Sequence, residues 1–202
     1  MKISVITATW NSESTILDAI QSMRDQTYSD IEYIVIDGGS TDSTMDIIGQ
    51  NKDIVDYVIS ERDAGIYDAL NKGIAAASGD VLGFLHSDDI FAHRDVLLSV
   101  ATTFSKKKSD SVYGDLNYVS KDDTSKIVRK WRSGAFCREN MCNGWMPPHP
   151  TFYMKRALYQ EYGVFDLNFR IAADYDSILR YLWKHGVTTA YIPKVLINMR
   201  VG

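Results

Sequence analysis

The stretch Gly79 to Asp89, G-D-V-L-G-F-L-H-S-D-D, is an apolar run that stops at two adjacent carboxylates, Asp88 and Asp89. Side-by-side acids repel one another, and a divalent cation carrying a phosphate would hold both in the charged form through oxygen ligands. Taken alone, S-D-D reads first as a helix cap, with Ser87, Asp88 or Asp89 accepting from the first free backbone N–H groups. The rest of the chain weighs against the cap. Glu32 to Asp37, E-Y-I-V-I-D, also ends in an acid, and Tyr57 to Ser60 is followed by E-R-D-A-G, which carries Asp63. In open α/β sheets ligands sit beyond the carboxyl ends of the strands, so these acids could converge on one crevice. Carboxylates there can accept hydrogen bonds from the imide N–H of a base or from ribose hydroxyls.

Two other ways of holding a diphosphate are absent. The loop after the first strand reads T-A-T-W-N-S, with none of the glycines of G-x-G-x-x-G, and no G-x-x-x-x-G-K-[ST] occurs. Neutralisation of a diphosphate therefore falls to a metal, which returns to Asp88-Asp89.

The elements that must position these acids alternate. Lys2–Ala8, Glu32–Asp37, Tyr57–Ser60 and the run through Leu85 read as strands. Between them lie helical stripes: Ile16, Leu17, Ile20 and Met23; Met45, Ile47 and Ile48; and Ile66, Leu70 and Ile74. This alternation predicts an α/β fold with a central, mostly parallel sheet flanked by helices. In the second half Asp95–Phe104 reads as helix, Lys106–Asp110 as a solvated connection, and Val112–Val119 and Ser125–Trp131 as a hairpin. Ser133–Pro150 reads as loop, Thr151–Met154 as strand, Arg156–Tyr162 and Asp174–His185 as helices, and Thr188–Ile192 as a last strand.

Bulk properties set limits. The 202 residues are 45% hydrophobic and 24% charged, enough for one well-buried domain. A net charge of −4 argues against general nucleic-acid binding. Cys137 and Cys142, the two cysteines, cannot build a four-cysteine zinc site and are expected as free thiols. The apolar part of the N-terminus is too short for a signal peptide, and no run approaches the roughly 18 apolar residues of a membrane span, so a cytoplasmic location is expected.

Taken together, V-I-T-A-T-W-N, I-V-I-D-G-G-S-T-D-S-T, D-A-G-I-Y-D-A-L-N-K-G-I-A-A-A-S-G-D and L-H-S-D-D resemble the successive signatures of family 2 glycosyltransferases with the GT-A fold. H-P-T-F-Y, G-V-F-D and A-A-D-Y-D resemble the acceptor half of that family, so the similarity covers nearly the whole chain. The flavour is that of bacterial transferases that build O-antigen, capsule or other exopolysaccharide units.

The resemblance implies a single GT-A domain over 1–202, with a nucleotide-sugar-binding half at 1–93 and an acceptor-binding half at 94–202. It implies inverting, metal-dependent transfer, with Mn2+ or Mg2+, from a nucleoside-diphosphate sugar, a UDP-sugar first. The acceptor would be a saccharide or a polyprenyl-diphosphate-linked saccharide. Asp37 matches the acid that binds the base, Thr7 and Thr9 lie in the loop flanking it, and Asp63 matches a second base-proximal acid. Lys72 could approach the phosphates. Asp88 matches the acid near ribose and metal, and Asp89 the direct metal ligand. Asp174 matches the catalytic base, although the preceding residue is Ala173 where many relatives have Glu. The plainer reading of Asp174 is an acid placed in a first helical turn by the helix dipole.

His149, in P-P-H-P, could reach the diphosphate or acceptor, or serve the loop alone. Trp10, Trp131 and Trp145 could offer a sugar-stacking platform, with core packing the competing role. The basic segment Lys126–Arg132 could meet an anionic membrane surface at the inner face of the cytoplasmic membrane, or be a solvated strand face. Two other functions compete: a nucleotide-sugar-binding module without turnover, and a sugar-nucleotide pyrophosphorylase. The second should open with a basic, glycine-rich loop that T-A-T-W-N-S does not supply. Relatives commonly continue beyond the point where this chain stops, which points to a missing C-terminal portion or a short member.

Overall fold

The computed structural model describes residues 1–201. Its first half follows the alternation read from the sequence: β1 (Ile3–Thr9), α1 (Ile16–Arg24), β2 (Ile31–Asp37), α2 (Thr44–Gln50), β3 (Tyr57–Ser60), α3 (Ile66–Ala76) and β4 (Val81–Phe84). The strands lie in the order β3-β2-β1-β4 and are all parallel. Their side chains divide with the two-residue period of a strand. Ile3, Val5, Tyr33 and Val35 pack with α1 and α2 on one face, while Ile6, Ile34 and Ile36 pack with Leu70 and Ile74 of α3 on the other. Gly73 permits that second contact, because a Cβ there would lie 2.3 Å from Ile6 Cγ2. Leu17 and Ile66, assigned to apolar stripes, are instead about half exposed.

The second half adds antiparallel pairings to the sheet. After β5 (Ile90–Phe91) and α4 (Val96–Lys107) come β6 (Ser111–Val119), β7 (Ile127–Trp131), α5 (Arg138–Met141), a 3-10 turn at His149–Thr151, β8 (Tyr153–Lys155), α6 (Arg156–Tyr162), α7 (Ala173–Leu179) and β9 (Thr189–Arg200). β8 joins β4 to β6 by antiparallel pairings on both sides, β9 runs parallel to β6, and β5 and β7 pair antiparallel with β9 and β6. The single sheet therefore continues through both halves of the chain.

Several expectations are corrected here. Lys106 and Lys107 complete α4, where their charges face the negative helix end, and only Lys108 leaves it in the left-handed conformation. The expected helix at Asp174–His185 is α7 followed by a π-helical segment at Arg180–Lys184. The last strand reaches Arg200, well past Ile192. Both cysteines are free, as expected. Among the described residues no helix is long and apolar enough to cross a membrane.

Candidate active site

The carboxyl ends of β1 to β4 open on a cleft of about 470 Å³, whose lining includes Thr9, Trp10, Gly38, Arg62, Asp63 and Ser87. A larger hollow of about 810 Å³, around Met1, Asp80 and Arg156, holds none of the candidate acids.

Asp37 ends β2 on the rung that pairs it with Thr9 and Ser60. It is fully buried, and its carboxylate accepts from the backbone N–H groups of Gly39 (3.1 Å) and Ser40 (3.0 Å) and from the hydroxyls of Ser60 (2.6 Å) and Ser40. Gly39, at φ +81°, turns the chain so that both amides point back at the acid. Hydrogen bonds to a charged group contribute about 1.5–3 kcal/mol each, so this acid fixes the G-G-S turn that walls the cleft.

The two threonines separate. Both belong to β1 rather than to a loop, because the strand continues through Thr9. Thr7 faces inward, donating to the Leu85 carbonyl at 2.6 Å and lying 3.1 Å from the Tyr33 hydroxyl. Thr9 lines the cleft, and its buried hydroxyl has no partner. Trp10, two-thirds exposed, stands at the rim. The other two tryptophans pack: Trp131 stacks on Tyr118, and Trp145 joins Tyr113 and Phe136.

Asp63 is nearly buried and pairs with the Lys72 ammonium at 2.5 Å. Lys72 also meets Glu61 at 2.8 Å and Asp68 at 3.5 Å, and its hydrogen bonds to Asp63 and Glu61 push its pKa up. Its charge thus goes to the Glu61–Gly65 loop.

The Ser87-Asp88-Asp89 turn leaves β4, with Ser87 Oγ 3.0 Å from Ser12 Oγ. Asp88 is exposed. Asp89 is buried: Oδ1 accepts from the Arg200 backbone N–H at 3.1 Å, and Oδ2 has no partner. Burial first, then the charge of Asp88, raise the pKa of Asp89 well above the carboxylate range, and Arg200 opposes this. The Arg200 guanidinium also donates to the Asp88 carbonyl at 2.7 Å and to the Asp18 carboxylate. Among the described residues no three His, Cys, Asp or Glu side chains cluster as a metal site. An exposed carboxylate beside a buried, unpartnered carboxylate oxygen does fit Mg2+ or Mn2+, which binds a diphosphate through one or two protein carboxylates and completes its shell with phosphate and water.

Asp174 lies in the first turn of α7, half-buried, and Oδ1 accepts from the Tyr67 hydroxyl at 3.0 Å. Ala173 is fully buried in the core. Near Asp174 lie two histidines whose rings are 6.0 Å apart. His149 is buried, stacks on Phe84 at 5.0 Å, and leaves Nε2 without a partner. Burial and neighbouring His86 push its pKa down to about 4, against the pull of Asp174. Burial also lowers the pKa of His86, against the pull of Asp88 and Asp174. Burial thus disfavours the charged form of both imidazoles, and His86 Nδ1, like His149 Nε2, has no hydrogen-bond partner.

The structure therefore brings Thr9, Asp63 and the Ser87 turn to one cleft, sets Asp37 beneath it, and places His149 with Asp174. Thr7 and Lys72 make their contacts within the chain. Tyr67, His86 and Arg200 were not singled out from the sequence. Tyr67 and His86 lay within quoted motifs, whereas nothing local marks Arg200.

Residues 4–172 match the family described as Glycosyl transferase family 2. The chain is 32% identical over 205 residues to a PGL/p-HBAD biosynthesis glycosyltransferase of Mycobacterium bovis, covering 96% of this chain and 75% of that one. Among solved structures, S. aureus TarS 1-349 in complex with UDP-GlcNAc superposes with a TM-score of 0.79 at 19% identity, covering 100% of this chain and 59% of that one. A Pyrobaculum calidifontis mannosyltransferase in complex with GDP-Man and Mn2+ superposes with a TM-score of 0.70 at 17% identity, covering 96% of this chain and 55% of that one. The chain thus spans under two thirds of either structural neighbour.

Proposed function

This chain belongs to glycosyl transferase family 2, and from that premise we propose that it moves a sugar from a nucleoside-diphosphate donor to a saccharide or polyprenyl-diphosphate-linked saccharide, with inversion, in bacterial surface polysaccharide synthesis. Residues 1–93 take the donor and 94–202 the acceptor. The observation that carries the reading is the strand-end cleft, which brings Thr9, Trp10 and Asp63 together with Ser87 of the Asp88-Asp89 turn.

The roles follow from position. Asp63 and Thr9 line the cleft that receives the nucleotide, Asp37 holds the turn that forms its wall, and Trp10 offers an aromatic face to a base or sugar ring. Asp89, with Asp88 beside it, would hold a divalent cation, which neutralises charge on the departing diphosphate. Asp174 takes the proton from the acceptor hydroxyl as that oxygen bonds to the anomeric carbon, while the bond from that carbon to the diphosphate oxygen breaks. His149 stands next to Asp174, where it can border the acceptor or diphosphate.

The bound UDP-GlcNAc of TarS and the GDP-Man and Mn2+ of the mannosyltransferase support a nucleotide-sugar donor with a metal. UDP is the first choice of nucleotide. β7 exposes Ile127 and Val128 among Lys126, Arg129, Lys130 and Arg132, which supports peripheral contact with an anionic membrane from the cytoplasmic side. A panel of UDP-, GDP- and dTDP-sugars, incubated with Mn2+ and saccharide or polyprenyl-diphosphate acceptors, tests the proposal through release of nucleoside diphosphate. Release from donors of one nucleotide, lost in Asp174→Asn, is expected; no release from any donor would count against it.

A further inference from the structure

Tyr67 and Asn71 lie one turn apart on α3 and so project to the same side of the helix. Both reach into the second half of the chain. Tyr67 donates to Asp174 Oδ1 at 3.0 Å, while the Asn71 amide donates to the Phe165 carbonyl at 2.9 Å and accepts from the Phe165 N–H at 3.0 Å. The ring of Phe165 lies 5.5 Å from that of Tyr67, and Phe165 is itself braced by Phe84 and His149. The phenol is thus held through its ring, and the amide clasp holds the segment against which that ring packs. Burial and the charge of Asp174 raise the pKa of the phenol, so it remains a donor around neutral pH.

We propose that Tyr67 is a positioning residue for Asp174: its hydrogen bond fixes Oδ1 and leaves the other carboxylate oxygen to take the acceptor proton. The proposal rests on Asp174 being the base. In this role Tyr67 acts through Asp174 alone. With the bond removed, the carboxylate can rotate out of line, and a small misplacement of a reacting group costs about a hundredfold in the limit. The expected signature is a fall in kcat with donor KM unchanged.

The test is a double-mutant cycle of Tyr67→Phe, which keeps the ring packing, with Asp174→Ala, which removes the acceptor that an asparagine Oδ1 would still supply; Asp174→Asn is kept for the turnover measurements. The cycle is read first by thermal unfolding without substrate. The double variant is expected to depart from additivity by about 2 °C, as for residues in direct contact. Strict additivity would overturn the proposal. It is read next by turnover, with UDP-GlcNAc and GDP-Man as donor probes in Mn2+ and water or a saccharide as acceptor. Tyr67→Phe is expected to lose about tenfold in kcat with donor KM within about twofold, and to cause no further loss once Asp174 is Asn. Wild-type kcat in Tyr67→Phe would make the bond structural only and overturn the positioning role. Wild-type turnover by Asp174→Asn would instead sink the assignment of the base, whatever coupling the unfolding cycle reports.

Discussion

The Lys72 ammonium lies 2.5 Å from Asp63 Oδ1, and Glu61 and Asp68 complete a ring of acids around it. The lysine of the N-K-G motif is therefore committed to the loop that carries Asp63, and the nearly buried Asp63 depends on it for charge compensation. A nearly buried carboxylate stripped of its partner is left as an uncompensated charge that destabilises the loop carrying it.

This arrangement predicts how Lys72→Met behaves. If the lysine acts by holding Asp63 in the cleft wall, affinity for uridine and for UDP falls by the same factor, roughly tenfold. Equilibrium titration of both ligands checks this. A loss seen with UDP and not with uridine would put the ammonium on the diphosphate instead.

For Asp174→Asn the expectation is a split between binding and turnover. The side chain lies on α7, outside the strand-end cleft, so nucleotide affinity should stay within about twofold. Transfer should fall by about a thousandfold or more, because an amide cannot take the acceptor proton. Calorimetry alongside nucleoside diphosphate release separates the two quantities. Equal losses in both would remove the division of labour between donor cleft and base.

His149 supplies a pH prediction whose sign follows from its burial. Its pKa is pushed down to about 4 in the folded protein from 6.5, so below pH 6.5 the unfolded chain binds the proton that the folded one refuses. Stability should therefore fall as pH drops from about 6.5 to about 4 and level off below. His149→Phe, which keeps an aromatic ring against Phe84, should flatten that part of a stability–pH curve measured by urea unfolding. An unchanged slope between wild type and variant would mean that the buried imidazole titrates normally.

Much of the donor half was readable because its strands are continuous apolar runs ending in acids: Tyr57–Ser60 is observed with those bounds, and Asp37 closes β2. The parts that escaped are set by distant partners. β5 is two residues long and exists because β9 passes beside it, pairing Ile90 with Asn198. β9 continues past Pro193 because register shifts near Gly114 and Asp115 of β6 absorb the irregularity, which no period-two pattern predicts. The site divides in the same way. Acids at strand ends are visible from their flanking runs, whereas the hydrogen bond of Tyr67 to Asp174 spans 107 positions and that of Arg200 to Asp88 spans 112. Motif residues thus announce that they matter before they announce what they touch. Tyr67, Asn71 and Lys72, in one motif, all make contacts internal to the chain.

Isothermal titration of the protein with UDP, GDP and dTDP, each with and without Mn2+ and repeated on Asp89→Asn, tests the central claim most directly. The account predicts binding of one diphosphate, UDP first, that depends on the metal in the wild type and loses that dependence, with most of its affinity, in the variant. Binding of none of the three, or metal-dependent binding that survives Asp89→Asn intact, would contradict it.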